Sequence, residues 1–434
     1  MSVADRICDE IVASVLIVGA GPAGLAAAAA AAPNAKNVLI LDENSEAGGQ
    51  IWRRGVDPSN TQGWALYSQL VAQPHVQWLS GSRIIAVIAN NRLLVETPDG
   101  PRIIQWQKMI LCTGARELIL PFPGWTLPGV TGAGGLQALI KSGANLKGRR
   151  VVIAGTGPLL LSVAASVKQA QGKVVAVVEY RSAAALRQFF YALLSGHQQK
   201  LWQAVGLLWA MKPWRYRLSS VVSAAQGISE VTSVIIQKGD KSEEIACDLL
   251  ACGFGLRTNL ELATLLRCQL RDGAIAVDEQ QRTSQQNIWA AGEVTGIGGV
   301  DKALIEGRIA GLDATGYRAT DKEAKLREKA WMFTGTLQKT FNLDVRLRQL
   351  CQADTLVCRC EDVPARELEK FADWRTAKLM TRVGMGACQG RICGVACEFL
   401  YDWQTPEARQ PVFPAKASSL ALLADLPPDT SLHG

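Results

Sequence analysis

The chain has 434 residues, about half of them hydrophobic, enough for a sizeable core and two or three domains. A charged fraction of 20% with 12 Trp excludes a disordered chain, and 40 Gly suit an α/β enzyme with many tight turns better than a coiled coil. The net charge of +7, with no Lys/Arg block, describes a mildly basic surface and implies no nucleic acid.

Eleven Cys against three His is the unusual ratio. A disulfide framework belongs to small secreted chains, which this is not. The apolar run 12–32 imitates a targeting signal, but Gly19, Gly21, Pro22 and Gly24 interrupt it and Arg6 is offset by Asp5, Asp9 and Glu10. It reads as strand, turn and helix, so the expectation is a cytoplasmic chain without a transmembrane span.

Residues 14–18 form a short buried strand by length and β-branching. The turn Gly19-Ala20-Gly21-Pro22-Ala23-Gly24 follows, then an Ala-rich helix at 25–32 ended by Pro33, and a second strand at 37–41 that stops at Asp42-Glu43. The same order returns once: strand 150–154, turn Gly155-Thr156-Gly157-Pro158, helix 159–171, and strand 173–178 ending at Glu179. One recurrence is no solenoid; two nucleotide-binding-type domains account for it. Residues 184–216 are helical in composition, with Phe189, Phe190, Trp202, Trp209 and Trp214, and suit a cap over a domain or the wall of a cleft. Short alternating runs at 221–245 suggest hairpins, 317–330 a charged helical connector, and the Cys-rich segment after Cys351 a small separate module.

The first turn reads G-x-G-x-x-G. Its first glycine allows the tight turn, the second lets a pyrophosphate approach backbone, and the third lets helix and strand pack closely. The helix N-terminus adds free N–H groups and the positive dipole end. Gly19, Gly21, Pro22, Ala23 and Gly24 are therefore candidate phosphate-side residues, and Asp42 is the first choice, Glu43 the alternative, for the acid that takes a ribose diol. The second turn offers Gly155, Gly157 and Glu179 for another nucleotide. There, however, Leu160 stands where the third small residue belongs, which is expected to push helix from strand. Glu179 suits NAD rather than NADP; an adenine nucleotide such as ATP in a non-redox role, or a fold without ligand, are the other readings.

Distant segments resemble the flavoprotein oxidoreductases built on two dinucleotide-binding domains: Glu46-Ala47-Gly48-Gly49-Gln50, Ile110-Leu111-Cys112-Thr113-Gly114-Ala115, and Ile288-Trp289-Ala290-Ala291-Gly292-Glu293. The resemblance implies FAD held by residues 12–130 and 245–318, with Gly49, Gln50, Thr113, Gly114, Gly292 and Glu293 near it. Glu293 replaces the family's Asp. A second nucleotide-binding domain at 131–244 would be inserted between these segments. The expected fold class is thus α/β, with two Rossmann-like domains, one inserted in the other.

Cys358-Arg359-Cys360, a gap of 27 residues, and Cys388-Gln389-Gly390-Arg391-Ile392-Cys393 supply four thiolates, enough for a [2Fe–2S] cluster at two per iron. Gly384, Gly386, Gly390 and Gly394 keep the second loop slim. Zinc is the alternative, although its knuckles more often show C-x₂-C. Single cysteines such as Cys112, Cys247, Cys252 and Cys268 read as packing residues.

Residues 358–363 and 381–393 resemble the bacterioferritin-associated-ferredoxin-like [2Fe–2S] domain. Joined to an N-terminal FAD fold, they are similar to the A or α subunits of opine oxidases, hydrogen cyanide synthase and dye-linked proline or hydroxyproline dehydrogenases. Pro121-Phe122-Pro123-Gly124-Trp125 and Gly155-Thr156-Gly157-Pro158-Leu159-Leu160 share the likeness. It implies a helical connector at 319–350, the cluster module at 351–410 with Cys358, Cys360, Cys388 and Cys393 as ligands, and a tail at 411–434. It further implies a role in electron transfer alongside an electron acceptor and a partner flavoprotein catalytic subunit, acting on CH–NH donors. The alternatives are a self-sufficient NADH-dependent reductase of a ferredoxin-like acceptor, and a non-catalytic assembly protein. No C-x-x-C lies beside the first domain, so disulfide-reductase chemistry is not expected. His75, His197 and His433 sit in no motif, and no catalytic side chain is assigned; in such proteins the flavin carries the chemistry.

Overall fold

A computed structural model describes residues 10–53, 61–89, 91–194, 200, 202, 206, 215–404 and 408–425. The chain divides into two compact units, each discontinuous in sequence: 1–116 with 258–334 and 407–434, and 117–257 with 335–406.

The first unit is built on a seven-stranded sheet. Strands β1 (Glu10–Val18), β2 (Val38–Leu41), β3 (Val76–Leu79), β4 (Arg83–Ala89), β5 (Arg92–Thr97) and β6 (Gly100–Leu111) run in the order β3-β2-β1-β6-β5-β4, and Ile288–Ala290 pairs with β6. The β3-β2-β1-β6 portion and the 288–290 strand are parallel, while β4 and β5 form an antiparallel ribbon on the far half of β6. Leu16, Ile17 and Leu39 to Leu41 are covered on both faces, which is why these strands read as continuous apolar runs without alternation.

Helix α1 (Pro22–Ala31) starts earlier than the sequence suggested, with Pro at the first turn, where its missing N–H costs nothing. Its alanines let the helix Val300–Ala314 approach closely. A Cβ on Gly307 would lie 2.1 Å from Ala23 O, and one on Gly311 2.3 Å from Ala27 O, so those two glycines fix the closeness of the helix pair. The final segment is no loose tail: helix Ala417–Asp425 docks on the antiparallel ribbon, with Lys416 N and Ser419 Oγ donating to Glu96 Oε2 at 3.0 and 2.8 Å.

The second unit holds a five-stranded parallel sheet. Its strands are β7 (Val130–Gly132), β8 (Arg150–Gly155), β9 (Lys173–Glu179), β10 (Tyr216–Leu218) and β11 (Leu249–Gly253), in the order β10-β9-β8-β11-β7. Residues 117–130 and 245–257, assigned from sequence to the first domain, lie in this unit, because Val130 pairs with Leu250 and Leu250 with Val152. The hairpins expected at 221–245 are present as Val221–Gln226, Ser233–Lys238 and Lys241–Ala246.

Leu160, expected to force α2 (Leu159–Gln169) away from the sheet, is fully buried. The room comes from Gly253 on the neighbouring strand, where a Cβ would sit 3.2 Å from Leu160 Cδ2. The small residue has moved from helix to strand. Of the expected helical cap, Ala183–Leu194 is a helix with Phe189 buried; Trp209 and Trp214 lie outside the described residues.

The Cys-rich segment has a small core of its own (Val357, Val363, Leu368, Trp374, Val383 and Trp403). It belongs to the same unit as the second sheet, tied by Trp125 Nε1, which donates to Leu356 O at 2.6 Å. The charged connector forms the helix Asp321–Phe341.

Candidate functional site

Three separated segments of the first unit meet around the first glycine turn. A Cβ on Gly19 (φ +107°) would stand 2.3 Å from Cys112 O, and one on Gly24 1.8 Å from Gly19 O, so both glycines are demanded by the chain itself. Gly21 differs. Its backbone is extended (φ −74°, ψ −175°), open to any residue, and a Cβ there would meet only Gly49 Cα at 3.9 Å. Nothing in the protein requires glycine at 21, which points to a ligand on that face. Gly48 N donates to Ala20 O at 2.8 Å and so brings the Gly48-Gly49-Gln50 bend to the turn; Gln50 itself is exposed and accepts from Arg53 Nη1 at 2.6 Å.

The choice of acid is resolved by burial. Asp42 is 9% exposed and accepts from Ala20 N at 2.6 Å and Asn44 N at 2.7 Å. Glu43 points outward and pairs with Arg83 at 3.8 Å. Thr113 and Gly114 follow β6, and Thr113 is held by Asn259 through reciprocal bonds: Thr113 Oγ1 to Asn259 O at 2.9 Å and Asn259 Nδ2 to Thr113 O at 2.8 Å. Asn259 carried no motif signal.

Gly292 (φ +88°) sits against the start of α1, where a Cβ would be 2.7 Å from Ala23 Cβ. Glu293 uses both carboxylate oxygens on its own loop, accepting from Gly299 N at 2.7 Å and Gly298 N at 3.2 Å. Burial pushes its carboxyl above the usual range against those bonds. The longer side chain that replaces Asp thus closes the loop 293–299 upon itself.

Beneath this loop lies a feature with no sequence motif. Lys302 and Glu306 are 1% and 0% exposed. Lys302 Nζ donates to Gly292 O, Thr295 Oγ1 and Glu306 Oε2 at 2.9, 2.6 and 2.8 Å, and Glu306 Oε2 also accepts from Gly292 N at 2.9 Å. An i, i+4 charged pair flanked by Ala303, Gly307, Ala310 and Gly311 was the available signal. Because removing one partner strands a buried charge, Lys302→Met is expected to destabilise by about 3–5 kcal/mol. Thermal unfolding reads the loss, and adding Glu306→Gln in the same chain should restore part of it.

In the second unit Gly155 (φ +140°) is required by the neighbouring strand, since a Cβ on it would stand 1.9 Å from Gly253 O. Glu179 is fully buried, accepting from Gly157 N at 2.9 Å and Arg181 N at 3.0 Å.

The four motif cysteines converge. The Cys393 thiol donates to the sulfurs of both Cys358 and Cys388, and Cys360 Sγ lies 4.0 Å from Cys388 Sγ, which makes one chain of contacts. The Cys393 bond, together with backbone N–H groups of Gly384, Glu361 and Cys360, holds the Cys358 thiol down at about 6. The Cys393 bond and the N–H groups of Ile392 and Gly390 bring Cys388 to about 5. Burial pushes Cys112, Cys252, Cys351 and Cys397 up, and these are inert packing thiols.

A Cβ on Gly386 would stand 2.3 Å from Cys360 Cβ, so the slim loop is what admits the sulfurs to one place. They line a cavity of about 190 Å³ walled by Ile119, Phe122, Trp125 and Arg359. Among the described residues, no group of three or more His, Cys, Asp or Glu side chains is placed to hold a single metal ion. A binuclear centre asks less of the protein, since it needs only two sulfurs near each iron.

Residues 13–310 match the model of the pyridine nucleotide-disulphide oxidoreductase family. The chain belongs to that family. It is 30% identical over 424 residues to hydrogen cyanide synthase subunit HcnB of Pseudomonas protegens, covering 88% of this chain and 90% of that protein. It is 28% identical to the opine oxidase A subunit of Agrobacterium tumefaciens (strain Ach5), over 94% and 91% of the two. The crystal structure of L-proline dehydrogenase from P. horikoshii shares the fold with a TM-score of 0.68 at 19% identity, over 96% of this chain and 80% of that one.

The chain is accordingly a FAD-dependent oxidoreductase of the group that contains these proteins, with the expected pair of dinucleotide-binding folds. No helix among the described residues is long and apolar enough to cross a membrane.

Proposed function

We propose that this chain is the FAD- and [2Fe–2S]-bearing electron-transfer subunit of a heteromeric cytoplasmic dehydrogenase or oxidase that acts on an amino-acid-like or opine C–N bond. The observation that carries the reading is the single chain of sulfur contacts through Cys358, Cys393, Cys388 and Cys360, beside backbone N–H groups that favour thiolates. Gly19, Gly21, Pro22, Ala23 and Gly24 with Gly49 and Gln50 would hold the FAD phosphates, Asp42 its ribose, and Thr113, Gly114, Gly292 and Glu293 the rest. When bound, FAD supplies two-electron and one-electron steps, and the cluster supplies one-electron transfer.

The protein's own part is to bind and to tune. Backbone N–H groups at the thiolates stabilise their negative charge and so bear on the potential of whatever they ligate. The buried Lys302–Glu306 pair holds the Gly292 peptide in place. No step runs through Gly155, Gly157 or Glu179. The relatives named above are themselves called subunits, which supports an onward acceptor and a partner flavoprotein that carries out the catalysis.

Anaerobic isolation of the native complex tests the reading. The expected result is one FAD and two iron with two sulfide per chain, a co-purifying partner, and flavin reduction by an amine substrate only when that partner is present. Iron-free chains with full activity would overturn it.

A further inference from the structure

The second glycine turn carries its own cover. Gly157 (φ +92°) is the second glycine of that turn, and a Cβ placed on it would lie 3.6 Å from Phe341 Cγ and 3.8 Å from Phe341 Cδ1. In a dinucleotide-binding fold this is the face along which a pyrophosphate reaches the backbone and the N-terminus of the next helix. The corresponding glycine of the first unit, Gly21, has only Gly49 Cα before it. One cradle is open and the other is filled by an aromatic ring.

The ring is fixed from both sides. Phe341 stands edge-on to the buried Phe189, with centroids 4.9 Å apart and planes at 72°. The next residue is clamped: Tyr180 Oη donates to Asn342 O at 3.0 Å, and the Arg181 guanidinium donates to both the backbone and the side-chain oxygen of Asn342. Tyr180 and Arg181 follow directly on Glu179, the acid a ribose diol would require, and Glu179 is fully buried with its oxygens on Gly157 N and Arg181 N. The groups a dinucleotide would use are therefore engaged within this chain. The glycine face is under Phe341, the Gly157 N–H is on Glu179, and the cation that would meet a phosphate is on Asn342.

We propose that Phe341 and Asn342 are a built-in occupant of the second fold's pyrophosphate cradle, so that this chain takes no nicotinamide dinucleotide, and these two residues set that specificity. NADH could enter only if the ring left Gly157 and Arg181 released Asn342.

The test uses the FAD-loaded protein, in which the first turn is already occupied, titrated with NADH by fluorescence and with ADP as competitor. Wild type is expected to show no saturable binding up to millimolar NADH. Phe341→Ala should bind NADH at least tenfold more tightly than wild type, with ADP displacing it. Should Phe341→Ala fail to fold, Tyr180→Phe, which removes one hydroxyl from the clamp, should give a gain in the same direction of at least threefold. Saturable NADH binding by wild type as tight as that of Phe341→Ala, or no gain in either variant, would overturn the proposal. Both outcomes leave the iron and flavin contents, on which the proposed function stands, to be read separately.

Discussion

Cys388→Ser is expected to yield protein that keeps its FAD and loses its iron–sulfur absorption. Cys388 is the middle of the sulfur chain: it accepts from Cys393, lies 4.0 Å from Cys360 Sγ, and is drawn toward the thiolate at about 5 by the Cys393 bond and the N–H groups of Ile392 and Gly390. A serine hydroxyl in its place stays protonated at neutral pH and offers a shorter, harder donor. Even outer partners of metal ligands cost about 10–100-fold in metal affinity, so loss of a ligand should remove bound iron at least to that extent.

Visible spectra with iron, sulfide and flavin assays on anaerobic protein read the result. Cys397→Ser is the control, because Cys397 is fully buried and its thiol is pushed up, and it should leave the iron in place. Retention of the cluster by Cys388→Ser would show that the ligand set is wrong.

The second large effect is expected at Gly21. Valine there should give folded protein without flavin. The extended backbone accepts a side chain, and the nearest atom to a Cβ is Gly49 Cα at 3.9 Å, so the added methyls enter the space in front of the turn. Overpacking of that kind costs roughly 1–3 kcal/mol, about 5- to 150-fold in Kd for the ligand that must share the space. Flavin-to-protein ratio after purification and reconstitution with added FAD give the measure, with far-ultraviolet circular dichroism to show that the fold survives. Gly24→Val must behave differently, because its Cβ would fall 1.8 Å from Gly19 O; there the fold itself should fail. Normal flavin content in Gly21→Val would argue against the first turn as the FAD site.

What could be read from the residues was whatever repeats a local rule. The turn glycines, the paired strand–turn–helix units and the cysteine spacing are local, and each appears where the sequence put it. Asp42 and Glu43 are adjacent on paper and separable only by burial, since one faces Ala20 N and the other faces solvent. Leu160 misled because its compensation is nonlocal: Gly253 lies 93 positions away, and no rule about the glycine turn mentions the next strand. Asn259 and the Lys302–Glu306 pair were missed for the same reason, as their partners come from other stretches of chain. The domain limits moved because strand pairing of Val130 and Leu250, rather than composition, decides where a sheet recruits its edges.

The alternation of the two units along the sequence has a bearing on biosynthesis. Residues 408–425 complete the antiparallel ribbon that began at Arg83, by way of Val412 N to Ile85 O at 2.8 Å and the bonds to Glu96. The ribosome therefore finishes neither half before it starts the other, and early-emerging strands must wait, with their apolar faces uncovered, for partners made hundreds of codons later. Excising either half as one contiguous piece would sever its own sheet or strip its cover. For expression work the sensible unit is the whole polypeptide, with chaperone supply as the quantity to adjust.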